Sequence, residues 1–550
     1  MHKQTILSGS VWLIASALTA KVLGAVFRIP LTAMLGGTGM GYYAAAYGLF
    51  LPVFSLSVTG MNTAVAALTA QYLGRNDPAG AARIPKLARR MFGTAGAAGS
   101  VFLFLSAPLL CRAMHNPGAL PAVRAFSPAV WLCCLNAVLR GEAEGRCSMI
   151  PTAVSQAVES AARLFLGLWL CRAVCREPDR FLAYLPAGTA AESAAAAAAV
   201  FGVTLSAAAG TVTLLIMRRR IPANGTAKHS DAAIRRALWR LLLPVAAASL
   251  VTNLTTLIDL VTGIRLMTVF LRHDPASRRY GCITPEAAAV FCCGAFSGMA
   301  VTVFNLVPSV TNHFGKSVLP AFAESYARQR PDETAFHAQT VMRRTSFLAV
   351  PAGLGITALA APILSVLFPT RLTEAAAAAP ALTLLGPAVI FTAMVSPVFS
   401  MLQAAGRAGD TVPVMLTGAC VKLAGNLLLM PRFGLRGTAL STCLCYAVIW
   451  LRASAIFYRR TGIRLTLRKI CGRPFFAGML CAGTALALFP LLSAEISQSA
   501  ALFLSIGAGG LCYLTVSCVL KPEKLDTRRT LRYNSIKDCR MHGTERGIVK

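Results

Sequence analysis

Charge is scarce in this sequence, and acid is scarcest. Only 13% of the 550 residues are Asp, Glu, Lys or Arg, and only 21 are acidic. Soluble domains carry about 25% charged residues. Half that fraction, with 56% hydrophobic residues, excludes an ordinary soluble enzyme and a disordered chain and makes lipid the solvent. Histidine is also sparse, with seven in all. There is no H-E-x-x-H and no pair of C-x-x-C knuckles, so nothing indicates a metal site or a cofactor. The 17 cysteines are scattered through apolar stretches, as at Cys133-Cys134, Cys292-Cys293 and Cys443-x-Cys445. In that setting they read as small buried hydrophobes rather than as a disulfide framework.

What is abundant is base and apolar length. The 53 Lys and Arg leave a formal charge of +32, yet they punctuate long apolar runs instead of clustering on a soluble domain, which argues against nucleic acid. The start, Met1-His2-Lys3-Gln4 and then Ala15-Ser16-Ala17, imitates a signal peptide. The apolar segment continues past that would-be cleavage site, so it reads as a retained first helix. A crossing needs about 20 apolar residues, and fourteen such runs are predicted. They lie near 8–33, 42–71, 91–111, 122–139, 150–170, 184–217, 241–267, 290–325, 345–368, 376–402, 411–430, 437–457, 474–493 and 499–519. The expected fold is therefore an all-α polytopic membrane protein. Roughly three times as many basic residues fall in the segments on the N-terminal side of the membrane as in the opposite loops, which puts both termini in the cytoplasm.

The chain repeats itself. Tyr72 aligns with Tyr326, Arg89-Arg90 with Arg343-Arg344, Ala107-Pro108 with Ala361-Pro362 and, after small loop changes, Gly145-Arg146 with Gly406-Arg407. This predicts two parallel six-helix repeats plus a terminal pair. The expected parts are an N-lobe at 1–220, a basic linker at 221–240, a C-lobe at 241–460, the terminal helices at 461–520 and a basic tail at 521–550. Parallel repeats place the substrate between lobes that rock against each other. The terminal pair either opens a lipid-facing groove or packs on one lobe, and the tail either is solvated or lies on anionic membrane lipid.

Six cations fall inside the runs, Lys21, Arg28, Arg163, Arg265, Lys316 and Lys422, against the acids Glu159 and Asp259. Each central charge costs about 2.5–3.5 kcal/mol, so these side chains are expected to face a watered cavity or to snorkel. Lys21, Gly24 and Arg28 share one helical stripe. Gly298, Thr302, Asn305, Ser309, Asn312 and Lys316 form another, with Asn62 as the repeat partner of Lys316. Thr152, Gln156, Glu159 and Arg163 share a third face, and Lys422 and Asn426 a fourth. Each has a structural alternative: Glu159 and Arg163 neutralise one another, the polar stripes glue helices together, and Arg265 anchors the membrane interface. The excess of cations favours an anionic substrate, because guanidinium forks and ammonium groups bind phosphate oxygens. An inside-negative potential drives such an anion outward.

Some stretches resemble a known family. Lys21-x-x-Gly24-x-x-x-Arg28 and then Gly36 through Gly41 with Tyr42-Tyr43 resemble the start of the polysaccharide and peptidoglycan-precursor flippases. Arg140-Gly141-Glu142-Ala143-Glu144-Gly145-Arg146, with Pro151 through Gln156 and Glu159 to Arg163, is similar to the stage V sporulation protein B group, as is Gly294 through Ala300. Glu144 departs from that group, which more often shows Gln. The resemblance spans nearly the whole chain. It implies the multidrug/oligosaccharidyl-lipid/polysaccharide exporter fold and a flippase for an undecaprenyl-pyrophosphate-linked glycan such as lipid II, with a role in spore-cortex peptidoglycan and residence in the bacterial plasma membrane. Its partners would be that anionic lipid-linked glycan, membrane lipids and a coupling cation, H+ or Na+. No cofactor, catalytic residue or metal is implied. Carried onto this chain, the substrate-binding candidates are Lys21, Arg28, Asn62, Gln156, Glu159, Arg163, Asn305, Asn312, Lys316 and Lys422. Asp259 lies where related flippases couple to an ion, although the eleventh run offers Lys422 there and no second acid. Two alternatives stand: a multidrug antiporter of the same fold, which needs an acid-dominated cavity, and a membrane glycosyltransferase or lipid phosphatase, which needs converging carboxylates or histidines. His313 is the histidine nearest a polar stripe, and it has no evident acidic partner.

Overall fold

A computed structural model describes residues 6–75, 77–183, 189–218, 230–273, 284–465 and 467–519. The basic tail at 521–550 and residues 221–229 of the basic linker lie outside the described residues. Among the described residues there is no strand, and seventeen α-helices follow one another. They are α1 (Ile6–Ser55), α2 (Asn62–Gly74), α3 (Pro78–Ala113), α4 (Leu120–Glu144), α5 (Ile150–Arg176), the single turn α6 (Pro178–Leu182), α7 (Ala191–Ile216), α8 (Asp231–His273) and α9 (Pro285–Ala295). Then come α10 (Val301–Ala327), α11 (Pro331–Ala358), α12 (Ala360–Leu367), α13 (Leu372–Ala404), α14 (Thr411–Phe433), α15 (Leu435–Thr461), α16 (Leu467–Glu495) and α17 (Gln498–Val519).

Ten of these stretches are long and apolar enough to cross a membrane, or eleven if α11 and α12, bent by 81°, count as one span. Where they are described, the fourteen predicted runs fall almost entirely on helices. Helix α1 carries two of them: its 50 residues would reach about 75 Å if straight, far beyond an apolar core of about 30 Å. The break comes at Gly36, whose φ of 65° lies in the left-handed region that glycine enters without a Cβ penalty. The second limb then continues through a π-helical turn, Leu56–Met61, into α2. Large apolar side chains stand out from the surface, with Phe102, Leu105 and Leu109 on α3 and Phe165 on α5 all about 70% exposed. Apolar surface of this kind, on helices long enough to cross a bilayer, is what a lipid-facing surface presents. The chain is a polytopic all-α membrane protein.

By contacts the chain forms two compact units. The first runs through Thr302 and takes in Phe368–Ala378 and Asn426–Thr438; the second comprises Val303–Leu367, Ala379–Gly425 and the chain from Ala439 onward. In the first unit, glycine sets the helix spacing. A Cβ at Gly37 or Gly41 of α1 would come within 2.6 and 2.8 Å of Phe291 and Val290 of α9, and one at Gly294 would strike the Gly37 carbonyl. The Gly36-to-Gly41 segment and the Gly294 motif are thus two sides of one close crossing. Around it packs an aromatic cluster in which the Phe50 and Phe126 rings stack at 4.1 Å and Tyr43 and Tyr47 at 5.9 Å. In the second unit α16 packs on α11 and α17, and the Tyr513 hydroxyl donates to the Phe347 carbonyl at 2.8 Å.

Candidate substrate site

The densest polar cluster lies in the first unit, where α4 meets α2, α5 and α7. Glycine again dictates the contact. Gly141 on α4 and Gly145, one turn later at its C-cap, face the backbone carbonyls of Asn62 and Ala66, which a Cβ would meet at 2.8 and 2.7 Å. With the backbones in contact, Asn62 reaches Glu144, and its Nδ2 donates to Oε1 and Oε2 at 3.2 and 3.1 Å. Thr152 donates to Oε1 at 3.1 Å. Among the described residues, every hydrogen-bond donor to Glu144 is neutral.

One turn deeper the pattern reverses. Glu159 on α5, 7% exposed, takes Arg140 Nη2 at 2.8 Å on one oxygen and Arg163 Nη2 at 3.2 Å on the other. Arg140 also donates from Nε to Ser155 at 3.1 Å. Gly210 on α7 makes room for this clamp, since a Cβ there would stand 3.3 Å from Glu159 Oε2. Nearby, Asn136 is fixed by donating to the Ala207 carbonyl at 3.1 Å. Asn62, Asn136, Arg140, Gln156 and Glu159 line a cavity of about 20 Å³, room for about one water. Two carbonyl oxygens, Oδ1 of Asn62 and of Asn136, are buried there without a hydrogen-bond partner among the described residues.

Arg28 is held from the α1 side. Its Nη2 donates to the Ser297 carbonyl at 2.7 Å, within the π-helical turn Phe296–Ala300, where the wider winding leaves carbonyls open to side chains. The Nε atoms of Arg28 and Arg163 are both buried and have no hydrogen-bond partner among the described residues. Both guanidinium groups lie within electrostatic reach of Tyr43. The region therefore leaves two N–H donors on permanent cations and two amide oxygens without a partner among the described residues, groups of the kind that pair with phosphate oxygens and sugar hydroxyls respectively.

Other predicted residues lie elsewhere. Asp259 on α8 accepts from Asn426 Nδ2 at 2.8 Å, and the same amide reaches Thr262 at 3.1 Å. Lys422, in the second unit, is 1% exposed and donates to Thr442 Oγ1 at 2.6 Å. Arg265 is exposed on α8. The predicted stripe on the eighth run is divided: Gly298 and Thr302 are buried, whereas Asn305 is exposed and Asn312 half-buried. Gly298 lies inside the π turn, which breaks a 3.6-residue period counted from it. Lys21 and Lys316 lie on α1 and α10, but their side chains, like that of His313, lie outside the described residues.

Three charged groups of the Arg140-to-Arg146 signature were not expected to belong to the site. Arg140, Glu142 and Glu144 are carried by α4, which runs to Glu144 rather than ending near 139. The i, i+4 spacing of Arg140 with Glu144, and of Gly141 with Gly145, was the available signal. The Glu142 carboxylate, 4% exposed, pairs with Arg89 of α3 at 3.1 Å and with Arg218 after α7 at 3.0 Å. Arg371, expected in a loop, donates to the Ala33 and Met34 carbonyls at 2.9 and 3.2 Å, satisfying acceptors freed by the Gly36 break.

The whole chain resembles known transporters. It is 24% identical to stage V sporulation protein B of Bacillus subtilis (strain 168) over 96% of this chain and 98% of that protein. It is 23% identical to the lipid II flippase MurJ of the same organism over 85% of this chain and 87% of that one. Among solved structures, an inward-closed lipid II flippase MurJ superposes with a TM-score of 0.65 at 13% identity, covering 94% of this chain and 98% of that one. An inward-facing MATE family multidrug resistance transporter of the MOP superfamily superposes with a TM-score of 0.60 at 12% identity, covering 80% of this chain and 96% of that one. These superpositions show that the chain shares that fold. The family model for lipid II flippase MurJ matches residues 181–498, more than half of the sequence, and the chain belongs to that family.

Proposed function

We propose that the protein is a flippase that carries an undecaprenyl-pyrophosphate-linked cell-wall precursor, lipid II or a lipid-linked oligosaccharide, from the inner to the outer leaflet of the bacterial plasma membrane. One observation carries this reading beyond the family. In the first unit, Arg28 and Arg163 keep buried Nε donors unspent, while the acid between Arg140 and Arg163 is already saturated. A diphosphate supplies the acceptors those donors lack. The unspent amide oxygens of Asn62 and Asn136 suit the hydroxyls of an attached sugar.

Transport follows from alternating access, with a lobe at 1–220 rocking against a lobe at 241–460 and both termini in the cytoplasm. The protein transports and does not transform its cargo. An inside-negative potential contributes about 2.3 kcal/mol per charge per 100 mV to outward movement of the anion. Asp259, held by Asn426, is the candidate for cation coupling with H+ or Na+. Lys21, Lys316 and Lys422 complete the set of candidate cations, and spore-cortex peptidoglycan is the candidate destination.

The MATE likeness supplies the second reading, a multidrug antiporter. A cationic drug entering this site would meet Arg28, Arg140 and Arg163, which disfavours it. Complementation decides between them. The wild-type gene should restore growth to cells depleted of their lipid II flippase, and Arg28→Ala with Arg163→Ala should not. Efflux of cationic dyes without rescue would overturn the proposal.

A further inference from the structure

A second, larger cavity opens where the turn between α4 and α5 faces the end of α7. Its volume is about 640 Å³, and its polar wall is formed by Glu142, Arg146, Ser148 and Arg218. The rest of its lining is apolar and includes Leu139, Ile150, Leu214 and Ile216. The local charge is positive: Arg89 and Arg218 pair with the single carboxylate of Glu142, Arg146 adds a further guanidinium to the lining, and Arg218 spends only Nε and Nη2 on the acid, leaving further N–H donors.

Two features narrow the occupant. The volume exceeds that of a simple inorganic ion and falls in the range of organic ligand sites, about 300–1,000 Å³. The lining is also continuous with exposed apolar surface: Ile150 is 41% exposed, Leu215 53% and Ile216 79%, and Arg218 comes two residues after Ile216, the order of an apolar core giving way to headgroup level. A soluble anion gains nothing from the apolar lining, a lipid without phosphate gains nothing from the guanidinium groups, and a zwitterionic lipid brings a cation that they repel. An amphiphile with a phosphate at its polar junction satisfies both.

We infer that this cavity binds an anionic phospholipid, its phosphate between Arg146 and Arg218 and its glycerol and first acyl carbons against Ile150 and Ile216. A bound lipid braces the turn that follows Glu142 and Glu144, and so supports the transport site without being its cargo. The inference rests on the cavity alone and stands or falls separately from the identity of the substrate.

Native mass spectrometry of the purified full-length protein tests it, with phosphatidylglycerol and phosphatidylcholine of identical chains as probes. Both lipids carry a phosphate, but the choline ammonium cancels its charge, so about 1 kcal/mol of net-charge attraction at each of two arginines predicts a preference of about 30-fold for phosphatidylglycerol. Arg146→Gln should lower that preference roughly 5-fold. Ser148→Glu, which removes no guanidinium and adds a repelling charge, should lower it as well and serves if Arg146→Gln does not fold. Equal retention of the two lipids, or selectivity unchanged in the variants, would overturn the inference. So would displacement of phosphatidylglycerol by millimolar inorganic phosphate, or by undecaprenyl pyrophosphate at equal concentration, which would reassign the cavity to a free anion or to the cargo.

Discussion

Arg140 and Arg163 grip the same carboxylate, yet their substitution should have opposite consequences. Arg140 is 5% exposed, and both of its contacts are internal, to Glu159 and Ser155. Arg140→Gln removes a partner from a buried ion pair, a change that costs about 3–5 kcal/mol, softened by the arginine that remains on Glu159. Arg163 has a side chain 24% exposed and binds Glu159 at 3.2 Å. With Arg140 still in place, Arg163→Gln leaves the carboxylate paired and should cost about 1 kcal/mol. Its functional cost should be larger. The Nε of Arg163 is a donor to spare, and a hydrogen bond from a charged donor is worth about 1.5–3 kcal/mol, so transport should fall roughly 10- to 100-fold. Chemical unfolding in detergent micelles gives the first quantity, and lipid II translocation in reconstituted vesicles gives the second. Equal destabilisation by both variants, or full transport by Arg163→Gln, would refute the division between a structural and a substrate-facing arginine.

Gly145→Ala drives a Cβ toward the Ala66 carbonyl and should cost about 1–3 kcal/mol by overpacking while separating Asn62 from Glu144. Gly355→Ala, where nothing lies within 4 Å, should be neutral or stabilising in the same unfolding assay. Arg371→Gln uncovers the Ala33 and Met34 carbonyls, and a thermal-unfolding series should show a loss of about 1–3 kcal/mol; an unchanged midpoint would mean that other groups cap the Gly36 break. Asp259→Asn preserves a hydrogen-bonding partner for Asn426 but removes the charge. Transport by this variant should no longer respond to an imposed Na+ or H+ gradient, and a retained response would move coupling elsewhere.

The helices were legible because each crossing needs its own apolar run, and lipid leaves the backbone no alternative to internal hydrogen bonding. The glycine clusters were visible too, but which helix each would meet was not. Gly36 through Gly41 reads equally well as a loop or as a contact face until Gly294 is found against Gly37. Glu159 with Arg163 was legible as a pair at i, i+4. The partner that makes it a clamp was not, because Arg140 lay just past the expected end of its run, in a stretch whose charge density reads as a loop. That stretch is helical because Gly141 and Gly145 bring α2 against it, burying charges that would otherwise seek water. The Arg371 contact, which joins groups 338 and 337 residues apart, has no local signature.

Counting charges along predicted runs gives a strongly cationic interior, and the structure refines that count into a question of which groups are spent. Glu159 and Glu142 each engage two arginines, so neither is free to hold a cationic cargo. Glu144 differs, since it is held by Asn62 and Thr152 alone among the described residues. A neutral amide at that position could still accept from one of those donors, so replacing the carboxylate removes a charge without removing the contact. That makes Glu144 the residue on which the two transport readings disagree. An antiporter for cations loses the one acid of this cluster that no arginine grips when Glu144 becomes Gln, whereas a carrier of diphosphate loses only a repelling charge. Lipid II transport by Glu144→Gln at or above the wild-type rate therefore follows from the flippase reading, and its collapse, together with lost dye efflux, would follow from the other.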